Sequence, residues 1–241
     1  MRYAILGDIH ANYEALAATL SRCSDLEVDR YLCVGDIVGY GADPALCLKT
    51  LRDLGCESVA GNHDRAVTGR LQADYFNQFA RQAVEWTRSS LSPEDLKFLD
   101  ALPLVIRSED LAITHASFFN PEAFDYIQTS YDAFHSFQHL ESRVGFIGHS
   151  HVPVSFLSEG RQIVVSTEAE IHVDEHEQCL INVGSVGQPR DDNPKAAFAI
   201  YDADRWLFQL HRIDYDIETA SAKIIAAGLP TLLAERLKIG R

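Results

Sequence analysis

Five short clusters of donor side chains are spread along the chain: Asp8 and His10 in Gly7-Asp8-Ile9-His10, Asp36 in Gly35-Asp36, Asn62 in Gly61-Asn62-His63-Asp64, His115 in Thr114-His115, and His149 with His151 in Gly148-His149-Ser150-His151. Carboxylate, amide and imidazole donors without a thiolate suit Mn²⁺, Fe²⁺ or Zn²⁺, and the donor types alone do not choose among them. A carboxylate can bridge two ions, and Asp36, isolated between the other clusters, is the natural bridge. The set therefore reads as one site for two divalent metal ions. Two metals roughly 3.5–4 Å apart can activate a bridging hydroxide and clamp the oxygens of a phosphoryl group. His63 stands beside a ligand without being required as one.

Each cluster follows a short apolar run and a small or turn-forming residue, which places it where a strand ends in a loop. Loops at strand ends, held by a rigid sheet, are where α/β proteins put their chemistry. Residues 2–6 read as a first strand, residues 12–23 as a helix with Leu16 and Leu20 on one face, and residues 31–34 as a second strand. Asp43-Pro44 opens another helix, a polar cap followed by proline in the first turn. Residues 58–60 read as a third strand. This β-α-β-α-β beginning implies parallel strands with crossover helices, which brings Asp8, Asp36 and Asn62 to one edge.

The middle of the chain reads as helix over residues 73–90, where Phe76, Phe79, Ala80, Ala83, Val84 and Trp86 recur at helical spacing. A further helix starts at Ser92-Pro93-Glu94-Asp95, with Ser92 as its cap. Strands resume at residues 104–107, 111–114 and 144–147. From Val152 onward short β runs recur at 154–157, 163–165, 179–181, 197–201 and 206–213, which reads as antiparallel hairpins of a second sheet. Residues 216–239 read as two short amphipathic helices broken at Gly228-Leu229-Pro230. No repeat, low-complexity stretch or linker marks a boundary. Residues 1–241 are expected to form a single domain with a helical insertion over about 66–102.

The order Asp-x-His, Asp, Asn-His-Asp, His, His-x-His resembles the calcineurin-like metallophosphoesterase superfamily over residues 2–190, and the C-terminal helices lie outside that resemblance. The resemblance implies an α/β fold: a four-layer α/β/β/α sandwich of two facing mixed sheets, with the dinuclear metal site at the strand ends. It implies that Asp8, His10 and His151 hold one metal, that Asn62, His115 and His149 hold the other, and that Asp36 bridges them. It further implies phosphoester hydrolysis by in-line attack of a metal-bridging hydroxide, with no phosphoenzyme intermediate. His63 takes the place of a group that contacts the phosphate and protonates the leaving oxygen, and Asp64 stands where it could orient that imidazole.

Other residues are candidates for holding the substrate. Gly184-Ser185-Val186-Gly187-Gln188-Pro189-Arg190 resembles a segment found beside the metal site in bacterial members, which makes Arg190 a candidate phosphate contact. Arg65, just after Asp64, is a second. Asn12 is a third, because it opens the helix after His10, where exposed N–H groups favour anions. The aromatic run Phe118-Phe119-Asn120-Pro121 could wall the substrate cleft.

One departure bears on the substrate. Phosphoprotein phosphatases and symmetrical diadenosine tetraphosphatases of this superfamily carry Asp-Arg-Gly after Gly-Asp-x-Val, whereas this chain runs Gly35-Asp36-Ile37-Val38-Gly39-Tyr40-Gly41. The guanidinium that would fork onto phosphate oxygens is missing. The expectation turns toward a small or nucleotide phosphodiester, which carries one charge fewer than a monoester, with a phosphomonoesterase as the alternative. A non-catalytic, metal-binding protein-interaction scaffold is the alternative of another class: the retromer subunit of this fold is such a scaffold, in which the catalytic histidine and part of the ligand set, both intact here, have been replaced.

Composition narrows the setting. A 241-residue chain with 46% hydrophobic and 23% charged residues can bury one sizeable core and is not of disordered type. No apolar run reaches the roughly 20 residues that span a bilayer. A strand from Tyr3 leading at once to Asp8 offers no signal peptide. Five scattered cysteines without a Cys-x-x-Cys pair read as buried free thiols in a reducing cytoplasm. The net charge of −14 argues against a nucleic-acid polymer as partner. It does not argue against a small phosphorylated substrate, because bound cations keep their own neighbourhood positive. The C-terminal helices or an outer strand could support a homodimer. Outside the clusters, His135 and His139 read as a solvated helix face, His172 and His176 as an acidic surface turn, and His211 as an ordinary strand residue.

Overall fold

The computed structural model describes residues 1–72, 76–159, 162–175 and 177–241, so Ala73, at the start of the expected helix, and His176 lie outside the described residues. The first strands are β1 (Arg2–Leu6), β2 (Arg30–Cys33) and β3 (Glu57–Ser58), parallel to one another and joined by α1 (Tyr13–Ser24) and α2 (Pro44–Asp53). Asn12 caps α1 by accepting from the Ala15 N–H. Asp43 makes no cap bond to α2 and instead pairs with Lys223. Alternation along the strands sends Ala4, Leu6 and Cys33 against the helices, with Leu16, Leu48 and Leu51. Tyr3, Ile5, Leu32 and Val34 turn the other way, onto Ile113, Phe146 and Ile181 of the second sheet.

Three helices follow: α3 (Asn62–Thr68), α4 (Gln78–Ser90) and α5 (Pro93–Ala101). Seven residues are too few to show a periodicity, which is why α3 is absent from the sequence reading. The Asp64 carboxylate accepts from the Gly61 N–H at 3.0 Å and fixes its start. At α5, Ser92 and Asp95 bond reciprocally, as the Ser-Pro-Glu-Asp signature leads one to expect.

The remaining strands are β4 (Val105–Arg107), β5 (Ala112–Thr114), β6 (Val144–Ile147), β7 (Val154–Glu159), β8 (Gln162–Ser166), β9 (Glu170–His172), β10 (Gln178–Asn182), β11 (Ala196–Asp202) and β12 (Leu207–Ile213). Two six-stranded mixed sheets result, ordered β3-β2-β1-β11-β12-β9 and β4-β5-β6-β10-β7-β8. The strands after Val152 are thus divided between both sheets and do not build the second alone. β11 pairs antiparallel with β1 in the middle of the first sheet. Residues 196–201 are all buried, and a strand apolar on both faces needs cover on both sides. His172 ends β9 and does not sit in a turn.

α6 (Ser130–Phe137) covers the outer face of the second sheet, its Ala133 and Phe137 against Phe156 and Leu180, and completes the α/β/β/α layering. α7 (Ile217–Ala226) and α8 (Thr231–Ile239) pack on each other and on Ala80 and Ala83 of α4, with Tyr40 in the same cluster. The five cysteines are free thiols. No helix among the described residues is long and apolar enough to cross a membrane.

Candidate metal centre and cavity

The donor loops are stitched together by their backbones. Asp8, His10 and Ala11 donate their N–H groups to Gly35, Asp36 and Ile37 at 2.9–3.1 Å, and Gly148 donates to His115 at 2.9 Å. Asp8, His10, Asp36, His149 and His151 all lie in the left-handed region, with φ between 49° and 69°. Non-glycine residues avoid that conformation, and a concentration of them at one place marks a site whose surroundings over-determine the backbone. It also answers how His149 and His151 reach different points: a tight turn through Ser150, not strand alternation. Gly61 has to be glycine here, since a Cβ on it would meet Asp36 Oδ1 at 2.0 Å.

Three imidazoles are fixed by carbonyls. His115 Nδ1 lies 2.9 Å from the Val34 oxygen, His10 Nδ1 3.2 Å from that of Val38, and His151 Nδ1 2.6 Å from that of Gln188. A carbonyl only accepts, so each Nδ1 carries the proton and each Nε2 presents a lone pair. Yet His10 Nε2 and His151 Nε2 face each other at 3.0 Å, and His115 Nε2 lies 3.0 Å from Asn62 Oδ1 and 3.1 Å from His149 Nδ1. Two lone pairs at that distance repel unless a cation sits between them. About 3 Å is also the separation of two donors at right angles around an ion bound at about 2.1 Å. The donor set therefore fits divalent metals.

The donors fall into two groups that share one carboxylate. Asp8, His10 and His151 converge on one point and Asp36, His115 and His149 on another, and a third trio, His10, Asp36 and His63, overlaps both. Asp36 Oδ2 lies 3.6 Å from His10 Nε2 and 3.5 Å from His115 Nε2, between the two. All are buried except Asn62, which is half-buried. Burial holds His10, His149 and His151 well below the usual histidine range, with neighbouring imidazoles adding for His10 and His149. Burial pushes the Asp36 carboxyl well above its usual range, and Asp64 and Asp8 push it further. Cations would favour the ionised carboxylates and the neutral rings together.

His63 lies among the rings of Tyr40, His10 and Phe76, with centroids 4.4–4.9 Å away. Its Nδ1 is buried without a hydrogen-bond partner. Asp64 does not orient it. Both Asp64 oxygens are taken by the N–H groups of Ile37, Val38 and Gly61, so this carboxylate braces the Asp36 loop.

Arg190 reaches the cavity; Arg65 and Asn12 do not line it. The Arg190 guanidinium donates to the Tyr40 hydroxyl at 3.3 Å and to Gln188 Oε1 at 3.1 Å, and its Nε is buried without a partner. The Arg65 guanidinium donates to the carbonyls of Asp100 and Leu102, capping the end of α5. Asn12 spends its amide on the Gly187 carbonyl and its oxygen on the α1 cap. The cavity, about 540 Å³, is walled by Tyr40, Phe76, Phe124 and Tyr126. Tyr126 stacks on His149 at 4.0 Å. Phe118 is core beneath α6, and Phe119 packs on His135 and His139, so the aromatic wall comes a few residues later than the sequence reading placed it. His211 stacks on Phe198 within its sheet. Among the described residues, every candidate metal-holding group belongs to the one centre.

A family model for the calcineurin-like phosphoesterase superfamily domain matches residues 1–205. The chain belongs to that superfamily. It is 41% identical to an uncharacterized protein of Methanocaldococcus jannaschii over 99% of this chain and 98% of that one. The crystal structure of a metallophosphoesterase from Sphaerobacter thermophilus is similar at 36% identity and a TM-score of 0.90, covering 100% of this chain and 99% of that one. A hypothetical protein from Pyrococcus horikoshii shares the fold, with a TM-score of 0.80 at 19% identity over 100% of this chain and 98% of that one. Membership makes the chain a phosphoesterase and accounts for the histidine–aspartate cluster, since the superfamily typically binds divalent metals. The superfamily domain ends before α7 and α8, yet Arg236 of α8 lines the same cavity. Sequence reasoning missed Arg236, Tyr40 as an aromatic wall, and Tyr126, because none carries a local motif.

Proposed function

We propose that this phosphoesterase hydrolyses a small phosphodiester, such as a nucleotide ester, in the cytoplasm, with two divalent ions of the Mn, Fe or Zn type. The observation that supports it is the convergence of donors from five loops on two adjacent points sharing Asp36. Asp8, His10 and His151 would hold one ion, Asn62, His115 and His149 the other, and Asp36 both. When bound, such ions supply Lewis acidity toward phosphoryl oxygens and an acidified water as nucleophile.

The chain's own groups do the rest. His63, at the cavity surface and unanchored at Nδ1, holds the proton needed by the leaving oxygen. Burial and Arg190 hold its pKa well below the usual range in the free protein. An entering phosphate anion acts in the opposite sense, so the imidazole takes up its proton as the substrate arrives. Arg190 offers its guanidinium to a non-bridging oxygen from across the Tyr40 ring, 5.7 Å from the ring centroid. Tyr40 stands where the phosphoprotein phosphatases carry arginine, and a diester, with one charge fewer, needs fewer cationic donors. The aromatic walls have room for an ester group beyond the phosphorus.

The test uses chelated protein reloaded with Mn²⁺, paired aryl phosphate mono- and diesters, and Asp36→Asn as control. Diester turnover that falls to background in the control is the expected result. Turnover of the monoester alone would reverse the substrate preference and keep the site. Turnover of neither by fully metallated protein would overturn the reading.

A further inference from the structure

Arg236 lies on α8, outside the residues the superfamily domain spans, and yet lines the cavity with Arg190. In a chain with 35 acidic residues against 21 basic ones, surface guanidiniums readily find carboxylates. Arg190 and Arg236 have none: among the described residues no ion pair involves either. Glu122, also at the cavity edge, pairs with neither. Arg236 spends only its Nε, on the Arg241 carbonyl. Burial and the neighbouring Arg190 charge both hold its pKa below the usual arginine range. The carboxylates of Asp8 and Asp36 act on Arg190 from the floor of the cavity, yet two like charges lining one cavity with no carboxylate in ion-pair contact are a cost, and an oxyanion beside them lowers it.

The arrangement is fixed. The Asp192 N–H donates to the Gly240 carbonyl at 3.0 Å, and a Cβ on Gly240 would meet the Asn193 backbone at 2.5 Å. The end of α8 is therefore locked onto the segment that follows Arg190.

We infer that Arg236, beside the Arg190 that meets the scissile phosphate, forms a subsite for a second oxyanion of the substrate, so that the enzyme selects phosphoesters carrying a further phosphate or carboxylate beyond the scissile group. The inference rests on the phosphoester reading of this cavity and adds a specificity-determining residue to it. Phosphate and carboxylate share the chemistry that a guanidinium recognises, and the test separates them.

The test is calorimetric binding, to the Mn²⁺-loaded protein, of propylphosphonate, trimethylenediphosphonate and 4-phosphonobutanoate. All three carry the same three-carbon chain and differ in whether a second oxyanion ends it. The expected result is roughly tenfold tighter binding, by the wild type, of at least one of the two ligands with a second acidic group. That preference should be lost in Arg236→Ala and partly restored in Arg236→Lys, with propylphosphonate affinity unchanged in both. Which of those two is preferred identifies phosphate or carboxylate as the group received. Equal affinities in the wild type, an undiminished preference in Arg236→Ala, or an equal loss for all three ligands would overturn the subsite. Aryl diester turnover measured on the same preparations separates the two readings. Turnover without preference removes only the subsite, and preference without turnover removes only the diester reading.

Discussion

At the floor of the cavity, the donors are buried and tied to backbone groups of neighbouring loops: His10 to Val38, His115 to Val34, His151 to Gln188, Asp8 to the His149 N–H and Asp36 to the His63 N–H. At the rim, Arg190, Arg236 and Tyr126 come from a loop after β10, from the C-terminal helix and from the segment before α6, and they keep donors or exposed surface unspent. The floor costs left-handed backbone at five donor residues and buried charge, and what it gains is donor positions that need no rearrangement when an ion arrives. The rim has no such demand, because it must admit and release a ligand. Floor geometry decides the reaction class; rim side chains decide which ester is held.

The severest way to break that contrast is Gly61→Ala. The new Cβ falls 2.0 Å from Asp36 Oδ1, so the variant is expected to lose stoichiometric metal and turnover together and about 1–3 kcal/mol of stability. Elemental analysis, turnover and denaturant melts would check it; retained metal would show that the floor is less rigid than its contacts imply. His63→Ala sharpens the contrast from within the floor, as the imidazole free of any Nδ1 partner. It should keep its metal content and slow turnover by roughly 10²–10⁴-fold. Metal loss or near-normal turnover would remove its proton-transfer role.

At the rim, Arg190→Ala should raise KM roughly tenfold with a smaller change in kcat, in steady-state kinetics on an aryl diester. A selective loss of kcat would move Arg190 from the rim to the reacting atoms. The smallest effect is on the chelated protein's stability against pH. His10, His63, His149 and His151 have lowered pKa values, so the folded chain holds fewer protons on them than the unfolded chain. Their contribution is complete above the ordinary histidine range, about 6.5, and is lost as pH falls below it. Asp36, pushed well above its usual range, and Asp8 and Asp64, pushed up to about 6, act in the opposite sense, their contributions lost as pH rises. With His115, also lowered, the histidines of the centre outnumber these three carboxylates, and Tm of the chelated protein should fall by a few degrees between about pH 7 and about pH 5. A rising Tm over that interval would show that the carboxylates dominate.

What the sequence by itself determined is the donor set and its placement. Parallel β-α-β units bring strand ends to one edge, so Asp8, Asp36 and Asn62 could be assigned to one edge from order and spacing, and the family resemblance joined His115, His149 and His151 to them. The C-terminal helix pair and the α5 cap were equally legible, since their signals are local. Only the tertiary structure decided side-chain direction and sheet membership. Asp64 turns to backbone amides across a loop, Arg65 and Asn12 cap helices, and β11 joins β1 across nearly the whole chain. Arg236 reaches a cavity whose other walls lie far away in sequence. Such choices depend on which of several partners a long side chain or a doubly apolar strand meets in three dimensions. Periodicity and spacing carry no record of that meeting, whereas a donor held at a strand end has its place fixed by the strand itself.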